Sequence, residues 1–406
     1  MRKLSKAPSQ KPSKKEGVTM FRRTVSTKLE ERLNETRAFI QVVMGPRQTG
    51  KTTAVKQAVK ATGLPVRVAS ADGVFELGAG WIEMQWRQAR ELTRNNAKAV
   101  LVLDEIQKIQ QWPETVKALW DEDSWNDTPL LVILTGSSSL LLNSGLTESL
   151  AGRYELLRST HWSLTEMIEA FNYTLEDYLK FGGYPGSARL KADEDRWREY
   201  MRDSIIEATI SRDVLQMEDV RKPALMRALF ELGAQYSAQE LSYRKILGQL
   251  DDRGNTDTLK HYLDLLDGAG MMSGIQKFDN KQIRSRASSP RLMVHDPALM
   301  TSMWRGQTSL FDDPTARGHL VETAVGAYLL NRAVIDNFEV YWWREGDKEV
   351  DFVVKRGEEI TAIEVKSGRV SKSGMTDFLR LYPQAKPLIV GDVNTSVEDF
   401  LRGKVF

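Results

Sequence analysis

The sequence predicts an α/β multidomain protein whose first domain is a doubly wound parallel sheet. Three observations predict this fold class. An apolar strand, a glycine-rich loop and a helix follow one another from Phe39, a fully apolar run over 99–103 ends in two acids, and strands and helices recur from residue 315. Fully apolar runs are typical of parallel strands buried on both faces, and strand–loop–helix units build doubly wound sheets.

The composition is that of a globular protein of several domains. Of 406 residues, 41% are hydrophobic and 28% are charged, and the formal net charge is +2. This balance excludes a chain that is disordered throughout, and the length predicts two or three domains. Cysteine is absent, which excludes disulfides, thiolate zinc sites and cysteine nucleophiles. No apolar run reaches the roughly 18 residues that cross a bilayer, so we expect a cytoplasmic protein that does not enter a membrane.

Residues 1–20 form a basic tail with six Lys or Arg and one Glu. A segment rich in Lys, Ser and Pro cannot bury enough apolar surface to fold, so we expect a solvated, disordered tail.

The loop after the first strand fits the pattern G-x-x-x-x-G-K-[ST]. Its glycines let backbone amides and a helix N-terminus face a polyphosphate. Lys51 is placed to reach the β- and γ-phosphates, and Thr52 to offer its hydroxyl to Mg²⁺. We therefore predict ATP and Mg²⁺ as ligands. The residues expected to bind the nucleotide are Gly45, Pro46, Arg47, Gln48, Thr49, Gly50, Lys51, Thr52 and Thr53.

The second motif is AVLVLDE, residues 99–105. Asp104 is placed to hold Mg²⁺ through water, and Glu105 to orient or deprotonate the attacking water. A pair of acids favours hydrolysis of ATP over binding alone. A further strand, 65–69, lies between the two motifs, an order that suits the additional-strand class of P-loop ATPases with phosphates at the carboxyl ends of the strands.

Three more polar residues are candidates for contact with the γ-phosphate. Thr135 lies near the end of the strand LLVILTG and Ser137 directly follows it. Both are placed as sensors, although a helix cap explains the serine equally well. Arg153 lies between a short helix and a strand. It is either a surface cation or an arginine that reaches the γ-phosphate in cis or in trans, and the trans alternative implies a homo-oligomer.

The middle of the chain predicts helices followed by a strand pair, the outline of a winged helix. Its third helix, about 256–267, would enter the major groove of DNA, yet it carries three Asp against Lys260 alone. The strand pair suits contacts with DNA phosphates better. Its basic residues are Lys277, Lys281, Arg284, Arg286 and Arg291. The alternative is a helical module that packs between the outer domains.

The last part predicts a helix, three strands, a helix and a strand. Alternation along the third strand puts Glu364 and Lys366 on one face, and Asp351 lies on the neighbouring strand. Two carboxylates and a Lys suit Mg²⁺ or Mn²⁺ acting on a phosphodiester, and Glu322 in the preceding helix adds an acid. We predict Glu322, Asp351 and Glu364 as metal ligands and Asp351, Glu364 and Lys366 as catalytic. The alternative is a core that retains these acids without chemistry.

The motifs taken in order resemble a large prokaryotic family of AAA-type ATPases. Its C-terminal region is a domain of unknown function with a PD-(D/E)xK nuclease-like core. The matching pieces, from about 40 to 370, are GPRQTGKTT, LVLDEIQ, LTGSSS, SLAGR, FGGYP, SRDV, GHLVE, EVDFVV and IEVKSG. The resemblance implies ATP binding, a helical or winged-helix middle and a nuclease-like end. The residues it carries over are Lys51, Thr52, Asp104, Glu105, Arg153, Glu322, Asp351, Glu364 and Lys366.

Two functions remain open at this point. The first is a protein that binds and hydrolyses ATP and acts on DNA, with a metal-dependent nuclease activity in the C-terminal domain. The alternative is an ATP-switched regulator or scaffold whose nuclease-like domain binds DNA or a protein without cleaving. The predicted divisions are the tail 1–20, an ATPase domain 21–160, a helical and winged-helix-like domain 161–290 and a nuclease-like α/β domain 291–406.

Overall fold

A computed structural model describes most of the chain. The described residues are 21–72, 78–136, 146, 149–215, 220–249, 255–279, 289–306, 310–366 and 374–405. The basic tail, Ser137, Lys281, Arg284 and Arg286 lie outside them.

The first domain is built on a parallel sheet of five strands in the order β2-β3-β4-β1-β5. The prediction of a parallel sheet is confirmed, and the strand between the two motifs is β2 at the sheet edge. The strands are β1 Ile40–Met44, β2 Val66–Ser70, β3 Ala99–Asp104, β4 Leu130–Gly136 and β5 Tyr154–Arg158.

Helices cover both faces of this sheet, which explains why its central strands are apolar throughout. Alternate residues of β1 enter different cores. Ile40, Val42 and Met44 pack with α3 and α4, whereas Val43 packs with α1 and α2. The helices are α1 Thr24–Asn34, α2 Lys51–Thr62, α3 Ala79–Thr93 and α4 Trp112–Trp125.

The middle of the chain is mostly helical and includes a small antiparallel sheet. This three-stranded sheet has the order β6-β8-β7. The helices are α5 Leu164–Phe171, α6 Leu175–Phe181, α7 Glu194–Tyr200, α8 Pro223–Gln235, α9 Tyr243–Gln249, α10 Thr256–Gly268 and α11 Pro297–Thr301, and π-helical turns follow α7 at Met201–Glu207 and Ile210–Val214. The strands are β6 Gln239–Glu240, β7 Met272–Ile275 and β8 Arg291–Val294.

The last domain has a four-stranded mixed sheet in the order β12-β11-β10-β9. Strands β9, β10 and β11 are antiparallel, and β12 runs parallel to β11 after a helical crossover. The helices are α12 Pro314–Asp336, α13 Met375–Leu381 and α14 Val397–Leu401, and the strands are β9 Glu339–Glu345, β10 Lys348–Arg356, β11 Glu359–Val365 and β12 Lys386–Val390.

The middle and last domains share one hydrophobic core that extends from Trp162 to Leu401. The boundary predicted at 290/291 falls between β7 and β8, whose backbones are hydrogen-bonded. Strand β8 must stay with its partners, so the middle domain continues through α11.

Among the described residues, no helix is both long and apolar enough to cross a membrane.

Candidate active site and carboxyl-terminal acidic centre

The glycine-rich loop joins the carboxyl end of β1 to the first turn of α2. Its first glycine is required by close packing. A Cβ atom at Gly45 would overlap the carbonyl oxygen of Ser159, whose own amide donates to Met44 O at 2.8 Å. The loop therefore lies directly against the chain that leaves β5, with its amides grouped at the helix N-terminus, the arrangement that binds phosphate.

Lys51 is buried and folds back onto its own loop. Its Nζ donates to the carbonyl oxygens of Gly45 at 2.9 Å and Pro46 at 2.8 Å. Burial lowers the pKa of Lys51 to about 8, against the opposing attraction of Glu105 and Asp213. The two carbonyls hold the position that a phosphate oxygen would take when a nucleotide binds.

Parallel pairing brings the acids of the second motif next to the loop. Strand β4 lies between β1 and β3, and Val43 pairs with Thr135. Thr135 is buried, and its hydroxyl donates to Asp104 Oδ1. Thr52, Asp104 and Thr135 line one groove of about 550 Å³ beside α2. A hydroxyl and a carboxylate are oxygen donors of the kind that Mg²⁺ prefers, so this donor set fits that ion.

Glu105 takes a backbone conformation that few residues other than glycine adopt. Its φ is 54°, in the left-handed region, and such strain is concentrated at functional sites. The side-chain amide of Gln107 donates to Glu105 Oε2 at 2.7 Å. This residue separates the end of β3 at Asp104 from the short helical turn that begins at Ile106.

Arg47, in the middle of the loop, is bound by a residue that the sequence does not single out. Its Nε donates to Asp213 Oδ2 at 3.0 Å and its terminal nitrogen to Oδ1 at 2.5 Å. Asp213 is buried in the π-helical turn Ile210–Val214. The motif SRDV contains this Asp, but nothing in its spacing indicates a partner 166 residues away.

Two further residues that sequence reasoning missed support the loop at Thr49. The indole of Trp162 donates to Thr49 O at 2.9 Å, and Arg23 donates to the same oxygen at 3.2 Å. Arg23 also pairs with Glu166 at 2.7 Å. Glu166 in turn accepts from the amide of Ser163 and completes the capping box at the start of α5. The capping box was a signal that the sequence carried for this helix start.

Arg153 lies at the opposite edge of the sheet from the loop. Strand β5 is parallel to β1 and pairs Tyr154 with Ile40, so Arg153 stands at the amino ends of the strands. A strand of five residues spans about 16 Å at about 3.3 Å per residue. This position does not favour the cis alternative for Arg153. Arg153 forms a bidentate pair with Asp121 of α4 at 2.7 and 3.0 Å.

Of the four residues predicted as a site in the last domain, three are buried and the fourth, Lys366, is exposed. Glu322, Asp351 and Glu364 are all buried, between 5% and 7% exposed. Asp351 Oδ2 accepts from the amide of Val365 at 2.8 Å, so the carboxylate reaches across to β11. Burial and the nearby Glu322 raise the pKa of Asp351 to about 7, against Arg291, which lowers it. Lys366 is exposed and directly follows β11.

The three acids do not fit a divalent metal in this arrangement. Among the described residues, no group of three or more His, Cys, Asp or Glu side chains is arranged to hold a metal ion. A positive charge is already present, since Arg291 of β8 lies 3.7 Å from Asp351 Oδ1. The sequence prediction placed Arg291 among DNA-binding residues, but it is buried and points into the last domain.

The comparisons with known proteins agree with the geometry of the first domain. Residues 37–168 match the family model of an AAA domain. The first domain is thus similar to P-loop domains of the AAA type. Its fold and its paired motifs support binding and hydrolysis of ATP. Residues 172–310 match the domain of unknown function DUF8612, and residues 317–402 match the domain of unknown function DUF4143.

The similar curated proteins are themselves uncharacterized. One, from Methanocaldococcus jannaschii, is 26% identical over 63% of this chain and 58% of its own length, so this chain spans less than two thirds of that relative. One from Haemophilus influenzae is 23% identical over 80% of this chain and 82% of its own length. A second from M. jannaschii is 23% identical over 73% of this chain and 67% of its own length.

A similar solved structure is the Thermotoga maritima RuvB Holliday junction branch migration motor. It is 18% identical, with a TM-score of 0.35, over 62% of this chain and 88% of its own.

Proposed function

We propose that this chain binds and hydrolyses ATP at the P-loop of its first domain. The observation that carries the proposal is the convergence of Lys51, Thr52 and Asp104 at the carboxyl ends of β1 and β3. The match to an AAA domain supports it. The loop amides and the N-terminus of α2 would bind the phosphates.

Each residue has a distinct role in this proposal. Lys51 exchanges the two loop carbonyls for phosphate oxygens. Thr52 and Asp104 would hold Mg²⁺, which would supply positive charge to the phosphates. Thr135 keeps the Asp104 carboxylate in place through its hydroxyl. Glu105 orients the attacking water and accepts its proton, and Gln107 fixes the Glu105 carboxylate.

ATP turnover by the purified full chain tests the proposal. Glu105→Gln should retain ATP binding and lower turnover by about 100-fold or more, the usual contribution of a general base. Lys51→Ala should abolish binding. Lys60→Ala is the matched control, because Lys60 is exposed on the same helix. Turnover by Lys51→Ala equal to that of the Lys60 variant would remove the P-loop from the reaction.

A second candidate is the ATP-switched regulator, and one observation favours it. Arg47 belongs to the phosphate-binding loop and is held by Asp213 of the middle domain. A phosphate competes with a carboxylate for the same guanidinium fork. Nucleotide binding would therefore loosen or re-form a contact between two domains, which is how binding at one site shifts the arrangement at another.

DNA remains a proposed partner through the middle domain. The order helix, strand, two helices and two strands, from α8 to β8, supports a winged helix. The third helix, α10, is still acidic for an element that would enter a DNA groove. One of its acids, Asp267, lies 3.1 Å from His295 of the same chain. DNA affinity that falls steeply with salt would support the proposal, and salt-independent binding would contradict it.

For the last domain we propose the alternative without cleavage. Its order of one helix, three antiparallel strands, a helix and a parallel strand is compatible with a nuclease-like core. Its acids, however, are buried beside a cation of the chain itself. We therefore assign no cleavage step to Asp351, Glu364 or Lys366, and the alternative without cleavage is the function that this domain supports.

A further inference from the structure

The acidic centre of the last domain is enclosed by three elements. Helix α12 contributes Glu322, and strands β10 and β11 contribute Asp351 and Glu364. The backbone register pairs Phe352 with Ile363, which puts the two strand acids at adjacent positions. Three carboxylates in such a small volume repel one another and lose hydration, so they require positive charge or protons nearby.

Arg291 supplies positive charge from another domain. It lies on β8, the central strand of the small sheet, and is 3% exposed. One terminal nitrogen donates to the backbone carbonyl of Asp351 at 3.0 Å and lies 3.7 Å from its Oδ1. The other donates to Glu349 Oε2 at 3.3 Å. The guanidinium also lies over the ring of Trp342, 5.1 Å from its centroid.

The backbone around Arg291 keeps it in this position. The end of β7 continues beside β9, where Phe278 N donates to Trp342 O at 2.6 Å and Trp342 N donates to Gln276 O at 3.2 Å. The small sheet and the sheet of the last domain are thus joined by backbone hydrogen bonds. Arg291 is held by this joint and is not a mobile surface side chain.

We infer that Arg291 is the built-in cation of the acidic centre formed by Glu322, Asp351 and Glu364, and that it excludes a divalent metal ion from that centre. The centre then joins the middle and last domains, and its acids are compensated within the chain. This inference is independent of the proposed ATPase, because none of its residues touches the P-loop domain's motifs.

Titration of the nucleotide-free full chain with Mn²⁺ tests the inference, with calorimetry and the electron paramagnetic resonance signal of free Mn²⁺ as readouts. The wild type should show no saturable binding at this centre, and Glu364→Gln should not change its Mn²⁺ response. Arg291→Gln should show saturable binding of one Mn²⁺ per chain. Adding Glu364→Gln to this variant should remove the binding.

Arg344→Gln is the matched control. Arg344 of β9 pairs with Glu240 of β6 at 3.0 Å, across the same joint but at its exposed edge. Its loss should loosen the joint without creating Mn²⁺ binding. The inference is overturned if the wild type binds Mn²⁺ in a manner that Glu364→Gln abolishes, or if folded Arg291→Gln binds none.

If Arg291→Gln is too unstable for calorimetry, its thermal unfolding still tests the inference. Without Arg291, Asp351 loses the cation 3.7 Å from its carboxylate, and breaking a buried charge pair is strongly destabilising. Mn²⁺ should then raise the unfolding temperature of Arg291→Gln and leave those of the wild type and Arg344→Gln unchanged. Equal Mn²⁺ effects on all three proteins would overturn the inference.

Discussion

Lys51 shows how the fold prepares a single residue for an anion. Its ammonium group is enclosed by the P-loop, and burial lowers its pKa to about 8. The two carbonyls that accept its protons are neutral, and the attraction of Glu105 and Asp213 only partly offsets the effect of burial on its charge. Phosphate oxygens carry full negative charge and favour the protonated form. ATP should therefore raise the pKa of Lys51 on binding.

We predict that ATP binding takes up protons near pH 8. With a free-state pKa of about 8, about half of the Lys51 side chains are neutral at that pH and must be protonated in the complex. Calorimetry in buffers of different ionisation enthalpy measures this uptake as about half a proton per ATP bound.

The pH series supplies the control for this prediction. At about pH 6 Lys51 is already charged, so uptake through it should vanish, and ATP affinity should fall as the pH rises above about 8. Lys60→Arg should behave as the wild type. Affinity that stays constant from pH 7 to pH 9 would show that burial does not alter the charge of Lys51.

The helical segment that follows α7 changes its periodicity from α-helical to π-helical. Two π-helical turns, Met201–Glu207 and Ile210–Val214, follow the α-helix. A π turn contains more residues than an α turn, so it shifts the faces of all later side chains, and such turns are frequent at functional sites. Here Asp213 lies in the second π turn and meets Arg47.

We predict that ATP alters backbone protection in this segment only through Asp213. Binding should draw Arg47 toward phosphate and increase amide hydrogen exchange over Met201–Val214. In Asp213→Asn the exchange should already be high and should not respond to ATP. Hydrogen–deuterium exchange followed by mass spectrometry measures the exchange of both proteins with and without ATP. Both should also carry Glu105→Gln, so that ATP is not hydrolysed during the measurement.

Arg227→Gln is the matched control for this element. Arg227 pairs with Glu207 in the same helical segment at 2.7 Å, but on its exposed side. It should leave the response to ATP unchanged. A normal ATP response in Asp213→Asn would exclude the Arg47 pair as the route between the domains.

At the scale of the whole molecule, the P-loop domain stands apart from a larger unit. The middle and last domains share one core, whereas the faces of the first sheet have cores of their own. Contact between the two units is concentrated around the loop, through Asp213, Trp162 and the packing of Gly270 on Pro46. A change in the loop on nucleotide binding would therefore act directly on residues of the larger unit.

The position of Arg153 leads to a prediction about assembly. It lies too far from its own P-loop for a cis contact, so the remaining catalytic role is in trans. Turnover per chain should then fall on dilution. A mixture of Lys51→Ala and Arg153→Ala chains should be more active than either variant alone, because a mixed pair combines an intact loop with an intact Arg. A mixture no more active than its separate components would make Arg153 a partner of Asp121 only.

Local sequence patterns predicted those parts of the site that are formed by short continuous stretches of the chain. The P-loop needs one strand, eight residues and one helix, and the apolar run before Asp104 predicts a buried strand by its composition. Thr135 was predicted because it is a polar residue near the end of a similar strand. Their convergence follows from parallel topology alone, since the carboxyl ends of parallel strands share one edge of the sheet.

The sequence by itself determined the nucleotide-binding domain, the residues of its motifs and the presence of three acids near the chain's end. Only the tertiary structure decided what those acids face. Arg291 meets Asp351 across 60 residues and Arg47 meets Asp213 across 166. Such pairs depend on how separate elements pack, and a charged residue far along the chain looks the same in sequence whether it ends in solvent or in a buried ion pair.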